Sequence, residues 1–247
     1  MPKQLQLKNI LISKTPPSLE INKNKPKRWK GFRLHPKYSE NFIKKISSGT
    51  TPKTDNEDYW NGDVLWLTPK DLTQKKNLLI NGTQRKITEK AIKDSSLSLF
   101  ETNTIFLSKR APVGKVGLSS LKMTCNQGIF AIECTDKINP FFLCHWFKAN
   151  EKYLNQLANG TTFQELYLDD LAEIEVFVPE LKEQNKICNF LNRLEFVYNT
   201  SVSINSNKIL KNGFHKSNDE FYKLINLLRR QLIFAVIQID DVIKKIR

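Results

Sequence analysis

The chain has 247 residues, with 39 Lys or Arg against 25 Asp or Glu, for a formal net charge of +14. Hydrophobic residues make up 40% of the sequence and 15 residues are Phe, which excludes a wholly disordered chain. The longest apolar run, over residues 232–239, falls well short of the ~20 residues that span a bilayer, so no transmembrane segment is expected. So basic a chain favours polyanionic partners, of which nucleic acid is the commonest.

The sequence divides into three segments of different pattern. Residues 1–30 are a basic N-terminal arm with little apolar periodicity, and residues 1–45 hold 12 basic and 2 acidic side chains. Residues 31–178 alternate short apolar runs with turn residues, which predicts a mixed α/β domain. Residues 179–247 change to a helical period. The predicted fold class is therefore α+β, a mixed α/β domain followed by long, coiled-coil-like C-terminal helices.

Within the middle segment, runs rich in β-branched and aromatic residues predict strands over residues 63–67, 104–108, 113–119, 128–133 and 173–178. Thr88 is predicted to cap one helix, and a second helix is predicted over residues 140–158, beginning at Pro140. Tyr59, Trp60 and Trp66 are expected to pack in the core, with stacking on a base as the alternative. The glycines expected to form turns are Gly49, Gly114, Gly117 and Gly160.

In the last segment, apolar residues recur at steps of three and four: Ile187, Phe190, Leu191, Leu194 and Val197. A capping box from Ser217 to Glu220 begins a second amphipathic run. The pattern fits either a hairpin of two helices or one long helix broken near Gly213. A long helix with one apolar stripe needs a long partner, which is its hairpin mate, a second copy or another subunit.

The four cysteines lack CxxC spacing and the density of a stapled secreted domain, and are expected to be reduced and mostly buried: Cys125, Cys134, Cys144 and Cys188. The N-terminal residues lack the apolar core of a signal peptide, which favours a cytoplasmic protein. Cys144 adjoins His145, but neighbouring helical residues point to different faces and no third ligand has zinc-site spacing. We expect a core cysteine beside a half-exposed histidine, and no metal site.

Motifs of catalysis are missing or weak. The sequence has no glycine-rich cofactor turn after a strand and no Walker A loop. Asp170, Glu180 and Lys182 can be read as a metal-dependent nuclease set, but Glu180 more plausibly complements the dipole of a helix that begins there. Gly114 and Gly117 match the GxxG clamp of RNA-binding KH modules, although the surrounding residues favour a strand or hairpin. No catalytic residue is predicted.

Charge is unevenly distributed within the middle segment. Residues 69–122 contain 11 basic and 4 acidic side chains, whereas residues 123–178 contain 3 and 8. If this asymmetry maps to space, one face of the domain meets DNA and the other meets solvent or a partner. An ordinary solvated face is the competing interpretation.

Six ordered motifs resemble those of the specificity subunits of Type I restriction-modification systems: SGTTPKT (48–54), YWNGDVLWLTPKDL (59–72), RAPVGKVGLSS (110–120), CNQGIFAIEC (125–134), LANGTTFQEL (157–166) and VFVPELKEQNKI (176–187). In that family a target recognition domain is followed by a long helix, entered through a junction that Pro179, Leu181, Glu183 and Gln184 match here. The resemblance implies recognition of double-stranded DNA without catalysis by this chain.

The same resemblance implies partners. Modification subunits would bring S-adenosylmethionine and methylate adenine, and restriction subunits joined through them would use ATP and Mg, so no cofactor is expected on this chain. Family members usually carry two recognition domains, whereas only one set of motifs occurs here. We therefore expect a half-size subunit whose homodimer, formed through the C-terminal helices, reads a symmetric bipartite site.

Phosphate neutralisation and purine readout predict eight DNA-binding side chains, of which Asn126 and Gln127 are equally plausible as structural residues: Lys70, Arg85, Lys86, Lys109, Arg110, Lys115, Asn126 and Gln127. The alternatives left open are a recognition subunit of a Type II-like modification enzyme, an RNA-binding module that uses the GxxG loop, and an autonomous nuclease.

Overall fold

A computed structural model of the chain describes residues 29–39, 41–74, 77–158, 164–193 and 195. Most of the predicted N-terminal arm, the Ser217 capping box and the second C-terminal helix lie outside the described residues, as does Gly160. The described strands form three sheets, and short helices cover them. The predicted boundaries at residues 30 and 178 stay predictions.

The largest sheet has five strands in the order β2-β9-β6-β7-β4. Their bounds are β2 (Ile43–Ser48), β4 (Leu79–Ile80), β6 (Ile105–Ser108), β7 (Val116–Ser119) and β9 (Ile129–Cys134). All neighbours pair antiparallel except β4 and β7, which are parallel. β6 and β7 are fully buried, as expected of central strands with helices or loops on both faces.

Two smaller sheets flank this one. β3 (Trp60–Leu67) lies between β5 (Arg85–Ile87), to which it is antiparallel, and β8 (Thr124–Cys125), to which it is parallel. β1 (Lys30–Arg33) pairs antiparallel with β10 (Glu175–Val178). Trp29, just before β1, is 4% exposed and belongs to the main core. The first and last strands of the described domain therefore pair with each other.

The helices are α1 (Pro69–Gln74), α2 (Glu89–Asp94), α3 (Pro140–Ala149), α4 (Glu151–Leu157), α5 (Leu168–Ala172) and α6, which is described over residues 181–193. Two 3₁₀ turns cover Pro36–Tyr38 and Glu57–Tyr59. Thr88 caps α2 as predicted, because its hydroxyl accepts the Ala91 N–H at 3.2 Å. Among the described residues, no helix has the length and apolar character needed to cross a membrane.

The structure confirms the predicted strands in outline and corrects three details. The strand predicted over residues 113–119 begins only at Val116, and Gly117 lies within it rather than in a turn. The helix predicted over 140–158 ends at Ala149 and restarts at Glu151, because the Asn150 amide donates to the Trp146 carbonyl. His145 is 1% exposed, not half-exposed, because α6 packs over it.

α6 runs beside α3 in the same direction. Polar pairs recur along the contact at a nearly constant separation in sequence: Asn139 with Gln184, His145 with Asn192, and Lys148 with Glu195. The apolar residues between these pairs, Ile187, Cys188 and Leu191, enter the main core. The described start of the predicted long helix is therefore anchored to the domain, while its continuation stays a prediction.

None of the four cysteines forms a disulfide bond. Burial raises the pKa of Cys125, Cys134 and Cys188 to about 12, which keeps these thiols protonated at neutral pH. They act as small apolar groups of the core, as the sequence predicted.

Candidate nucleic-acid interface

The loop 48–54, the first of the six motifs, is held by its backbone. The indole N–H of Trp66 donates to the Thr50 carbonyl at 3.1 Å, and that of Trp60 donates to the Lys53 carbonyl at 3.2 Å. The Thr50 N–H donates to the Cys125 carbonyl at 3.1 Å. These contacts use backbone groups, so the side chains of Thr50 and Lys53 are left exposed.

Glycine is required at position 49 by close approach. A Cβ there would lie 1.7 Å from the Cys125 carbonyl oxygen and 2.4 Å from its carbon, both backbone atoms that cannot move aside alone. Gly49 was predicted to form a turn. In the structure, glycine is needed there because two chain segments are in contact.

A second loop, residues 126–128, lies beside the first. The Asn126 N–H donates to the Leu67 carbonyl at 2.9 Å, and its side-chain oxygen accepts the Gly128 N–H at 3.0 Å. Asn126 therefore uses its backbone donor to bind the end of β3 and its side-chain acceptor to hold the loop itself. The exposed Gln127 accepts a hydrogen bond from the Thr51 hydroxyl through its side-chain oxygen, which joins the two loops.

Lys70 and Arg85 flank these loops. Lys70 is exposed in the first turn of α1, and the preceding Pro69 lies close to Gly128. Arg85 is exposed on β5, with its guanidinium carbon 3.6 Å from the centre of the Trp60 ring and 5.1 Å from that of Trp66. We call the side chains around these two loops the loop face: the half-buried Thr51 and the exposed Lys53, Lys70, Arg85 and Gln127.

Lys86 and Arg85 are neighbours in β5, and successive side chains of a strand point to opposite faces of the sheet. Arg85 pairs in register with Trp66 and Lys86 with Leu65, so the two side chains leave opposite faces of the sheet. Both were predicted to bind DNA. The structure brings Arg85 to the loop face and directs Lys86 away from the tryptophans.

The remaining predicted cations are paired with carboxylates. Glu165 contacts Lys109 Nζ at 3.2 Å and Arg110 Nε at 3.1 Å, and Glu151 contacts Lys115 Nζ at 2.6 Å. Burial alone raises the pKa of Glu165, but hydrogen bonds from Lys109 and Arg110 and their charges outweigh it, so the pKa is held below the ordinary value.

These pairs bear on the predicted charge asymmetry. Lys109, Arg110 and Lys115 belong to the basic stretch 69–122, whereas Glu151 and Glu165 belong to the acidic stretch 123–178. The fold thus pairs cations of the basic stretch with carboxylates of the acidic stretch, and these charges neutralise each other. By contrast, within the described residues no ion pair includes Lys53, Lys70 or Arg85.

The competing motifs take ordinary structural roles. Gly114 lies in the turn before β7 with a φ of 85°, so the GxxG segment joins two strands instead of two helices. The Asp170 carboxylate accepts the Tyr167 N–H at 2.8 Å and caps α5. No group of three His, Cys, Asp or Glu suited to a metal ion occurs in the described part of the chain.

Two loop-face residues were absent from the sequence prediction. Thr51 and Lys53 lie in SGTTPKT, one of the six motifs that carry the family resemblance. The motif itself was the available signal, because a loop rich in small polar residues beside a strand presents its side chains outward.

Comparison with known proteins gives concordant matches. A family model described as the Type I restriction modification DNA specificity domain matches residues 41–211. The Type I restriction enzyme MjaIX specificity subunit of Methanocaldococcus jannaschii is 39% identical over 151 residues, which is 60% of this chain and 35% of that protein. The EcoR124I/EcoR124II specificity subunit of Escherichia coli is 26% identical over 165 residues, 64% of this chain and 40% of that protein.

Solved structures support the fold. The HsdS subunit from Thermoanaerobacter tengcongensis aligns with 95% of this chain and 51% of its own at a TM-score of 0.53 and 15% identity. A chain from a study of complex assembly and conformational transition of the type I R-M system aligns at 0.55 and 15% identity, over 95% of this chain and 54% of that one.

This chain therefore spans about half the length of the solved relatives. The mixed α/β domain is shared with them, as the sequence predicted. Because the family model covers more than half of the residues and agrees with the six ordered motifs, the chain belongs to the Type I restriction-modification DNA specificity domain family.

Proposed function

We propose that this chain is the DNA-recognition subunit of a Type I restriction-modification complex and binds one half-site of a bipartite duplex target. The observation that carries the proposal is the loop face. Loop 48–54 is fixed by indole N–H donors, and the exposed side chains of the loop face, Lys53, Lys70, Arg85 and Gln127, include three cations with no ion pair among the described residues. Such groups neutralise phosphates and contact base edges.

The chain is proposed to perform no catalysis. Modification subunits that use S-adenosylmethionine to methylate adenine, and restriction subunits that use ATP and Mg, are its proposed partners. A homodimer through the C-terminal helices would restore the two recognition domains of longer relatives. A cytoplasmic location follows from the same assignment, since the cellular DNA lies there.

DNA binding is tested by fluorescence anisotropy of the complete chain with duplex DNA, and with single-stranded RNA, over a range of salt concentrations. We expect duplex DNA to bind more tightly, with log Kd rising linearly with log salt. The double variant K53Q/K70Q should bind about tenfold more weakly and lower the salt slope by about two, roughly one per phosphate contact.

The matched control is K137Q. Lys137 follows the far end of β9, whereas loop 126–128 precedes the near end, and the intervening strand is about 20 Å long. This substitution should leave affinity and slope unchanged. A preference for RNA, or equal losses in K137Q and K53Q/K70Q, would defeat the assignment of this face to DNA.

Assembly is tested by light scattering. A mass near twice 28.7 kDa for the chain alone, rising when the modification subunit is added, supports the homodimer and the partner. A monomer unchanged by the modification subunit would reject both. Magnesium-dependent cleavage of DNA by the purified chain would instead favour the nuclease alternative.

A further inference from the structure

Arg85 differs from the ion-paired cations in what holds its side chain. The rings of Trp60 and Trp66 meet edge to face, with centroids 5.1 Å apart and planes at 80°. The guanidinium carbon lies 3.6 Å from the centre of Trp60, which is contact distance for a group lying flat on the ring. Trp66 is 5.1 Å away on the second side. Arg85 therefore occupies a corner between two indoles.

This corner is itself rigid. Trp66 is 3% exposed, and both indole N–H groups are bonded to the backbone of loop 48–54. A side chain held against such a platform has already lost much of its rotamer freedom, so binding a ligand costs it little further entropy. The position of Arg85 is fixed before any ligand arrives.

The platform holds Arg85 without using its hydrogen-bond donors. Contact with an aromatic face involves the charge and plane of the guanidinium, while its five N–H groups point outward in that plane. In the described part of the chain no carboxylate pairs with Arg85. An exposed, fixed and planar donor fork is the result.

Among the base edges of duplex DNA, guanine suits a guanidinium that is fixed in its plane. Guanine presents O6 and N7 side by side in the major groove, and their bidentate contact with arginine depends on orientation. A phosphate also accepts a guanidinium through two oxygens, but that contact carries no sequence information, whereas the contact with guanine is the commonest specific one in the major groove. We propose that Arg85 is a specificity-determining residue that reads a guanine in the target half-site. This inference rests on the DNA-recognition function proposed above.

The test is selection from a randomised duplex DNA pool by the complete chain, alone and with the modification subunit, followed by affinity measurements on single-base variants of the selected site. R85K keeps the charge but removes the planar fork. We expect its discrimination at one G·C pair to fall by roughly 10- to 100-fold, with the other positions and the salt slope unchanged. K86Q, a change to the neighbouring residue on the opposite face, should keep discrimination at every position.

A second variant addresses the platform. W60L retains Arg85 but removes the ring beneath it, and should weaken discrimination at the same G·C pair by several fold. Thermal unfolding of each variant separates folding from readout, because a purely structural Arg85 would change the melting temperature and leave base preference intact. If wild type selects a site and R85K discriminates equally well at every position, the inference is overturned. If wild type selects no sequence, the proposed function fails with it.

Discussion

The loop face and the contact between α3 and α6 use polar groups in opposite ways. At the loop face, backbone carbonyls accept from buried or half-buried indoles, and the exposed side chains are left for other partners. Between α3 and α6, the Gln184 side-chain amide is itself buried, at 1% exposed, and both its oxygen and its nitrogen are hydrogen-bonded. Buried polar pairs fix the direction of an element, whereas exposed ones leave donors free for a ligand.

The largest effect is expected where the loop face touches the core. In G49A the new Cβ would overlap the Cys125 carbonyl, so the hydrogen bond from the Thr50 N–H to that oxygen has to lengthen or break. We expect a loss of about 3 kcal/mol in the free energy of unfolding. Urea denaturation measures it.

The control for this prediction is G82A, because a Cβ on Gly82 meets no atom within 4 Å. That variant should stay within about 0.5 kcal/mol of wild type. Equal stability of the two variants would mean that loop 48–54 moves away from Cys125 at little cost, and the rigid platform assigned to this face would be lost.

The second largest effect is expected at Gln184, where the start of α6 contacts the start of α3. The Gln184 side chain accepts the Asn139 N–H at 2.8 Å and donates to the Pro179 carbonyl at 2.9 Å. Q184L leaves both groups buried without these bonds, so we expect a loss of about 2 kcal/mol. If the two regions are independent, base discrimination by the loop face stays unchanged.

The neighbouring position supplies the comparison for Q184L. Asn185 is exposed, and its side chain accepts from the Asn139 side chain at 2.7 Å, so N185A should cost about 0.5 kcal/mol. Urea unfolding curves of Q184L and N185A measure the two losses in the free energy of unfolding. A neutral Q184L would show that burial, and not the amide bonds, holds α6 against α3.

Local patterns predicted much of the fold. β-branched and aromatic runs located β3, β6, β9 and β10, and Thr88 marked the start of α2, because these signals depend on neighbours in the sequence. The break at Asn150 was missed since its side chain, four residues on from Trp146, competes for a helical carbonyl. That competition depends on the tertiary contacts of an asparagine that is 2% exposed.

The loop face was predictable only in part. The sequence selected Lys70, Arg85 and Gln127, but it could not separate Arg85 from Lys86, because the face of each depends on the register of β5 with β3. Nor could it pair Arg110 with Glu165, which lie 55 positions apart and meet at an isolated antiparallel bridge outside the strands. Charge counts along a sequence carry no information about such pairing.

The smallest effect is expected at Glu165. Its ion pairs distinguish Lys109 and Arg110 from the cations of the loop face. E165Q removes the negative charge that pairs with Lys109 and Arg110, whose side chains are 17% and 48% exposed. Because solvent partly screens both pairs, we expect a loss of about 0.5 to 1 kcal/mol at neutral pH.

The pH dependence gives the sharper signature. Since the pKa of Glu165 is lowered in the folded chain, the unfolded chain takes up the proton first as the pH falls. Wild type should therefore exceed E165Q in stability above about pH 4.3, the ordinary pKa of a glutamate, and lose this advantage as the pH falls through the folded pKa. Urea unfolding of both proteins from pH 7 to pH 3 measures the difference. A constant difference across that range would show that Glu165 acts through packing, and Arg110 would then belong with Arg85 among the cations free to meet DNA.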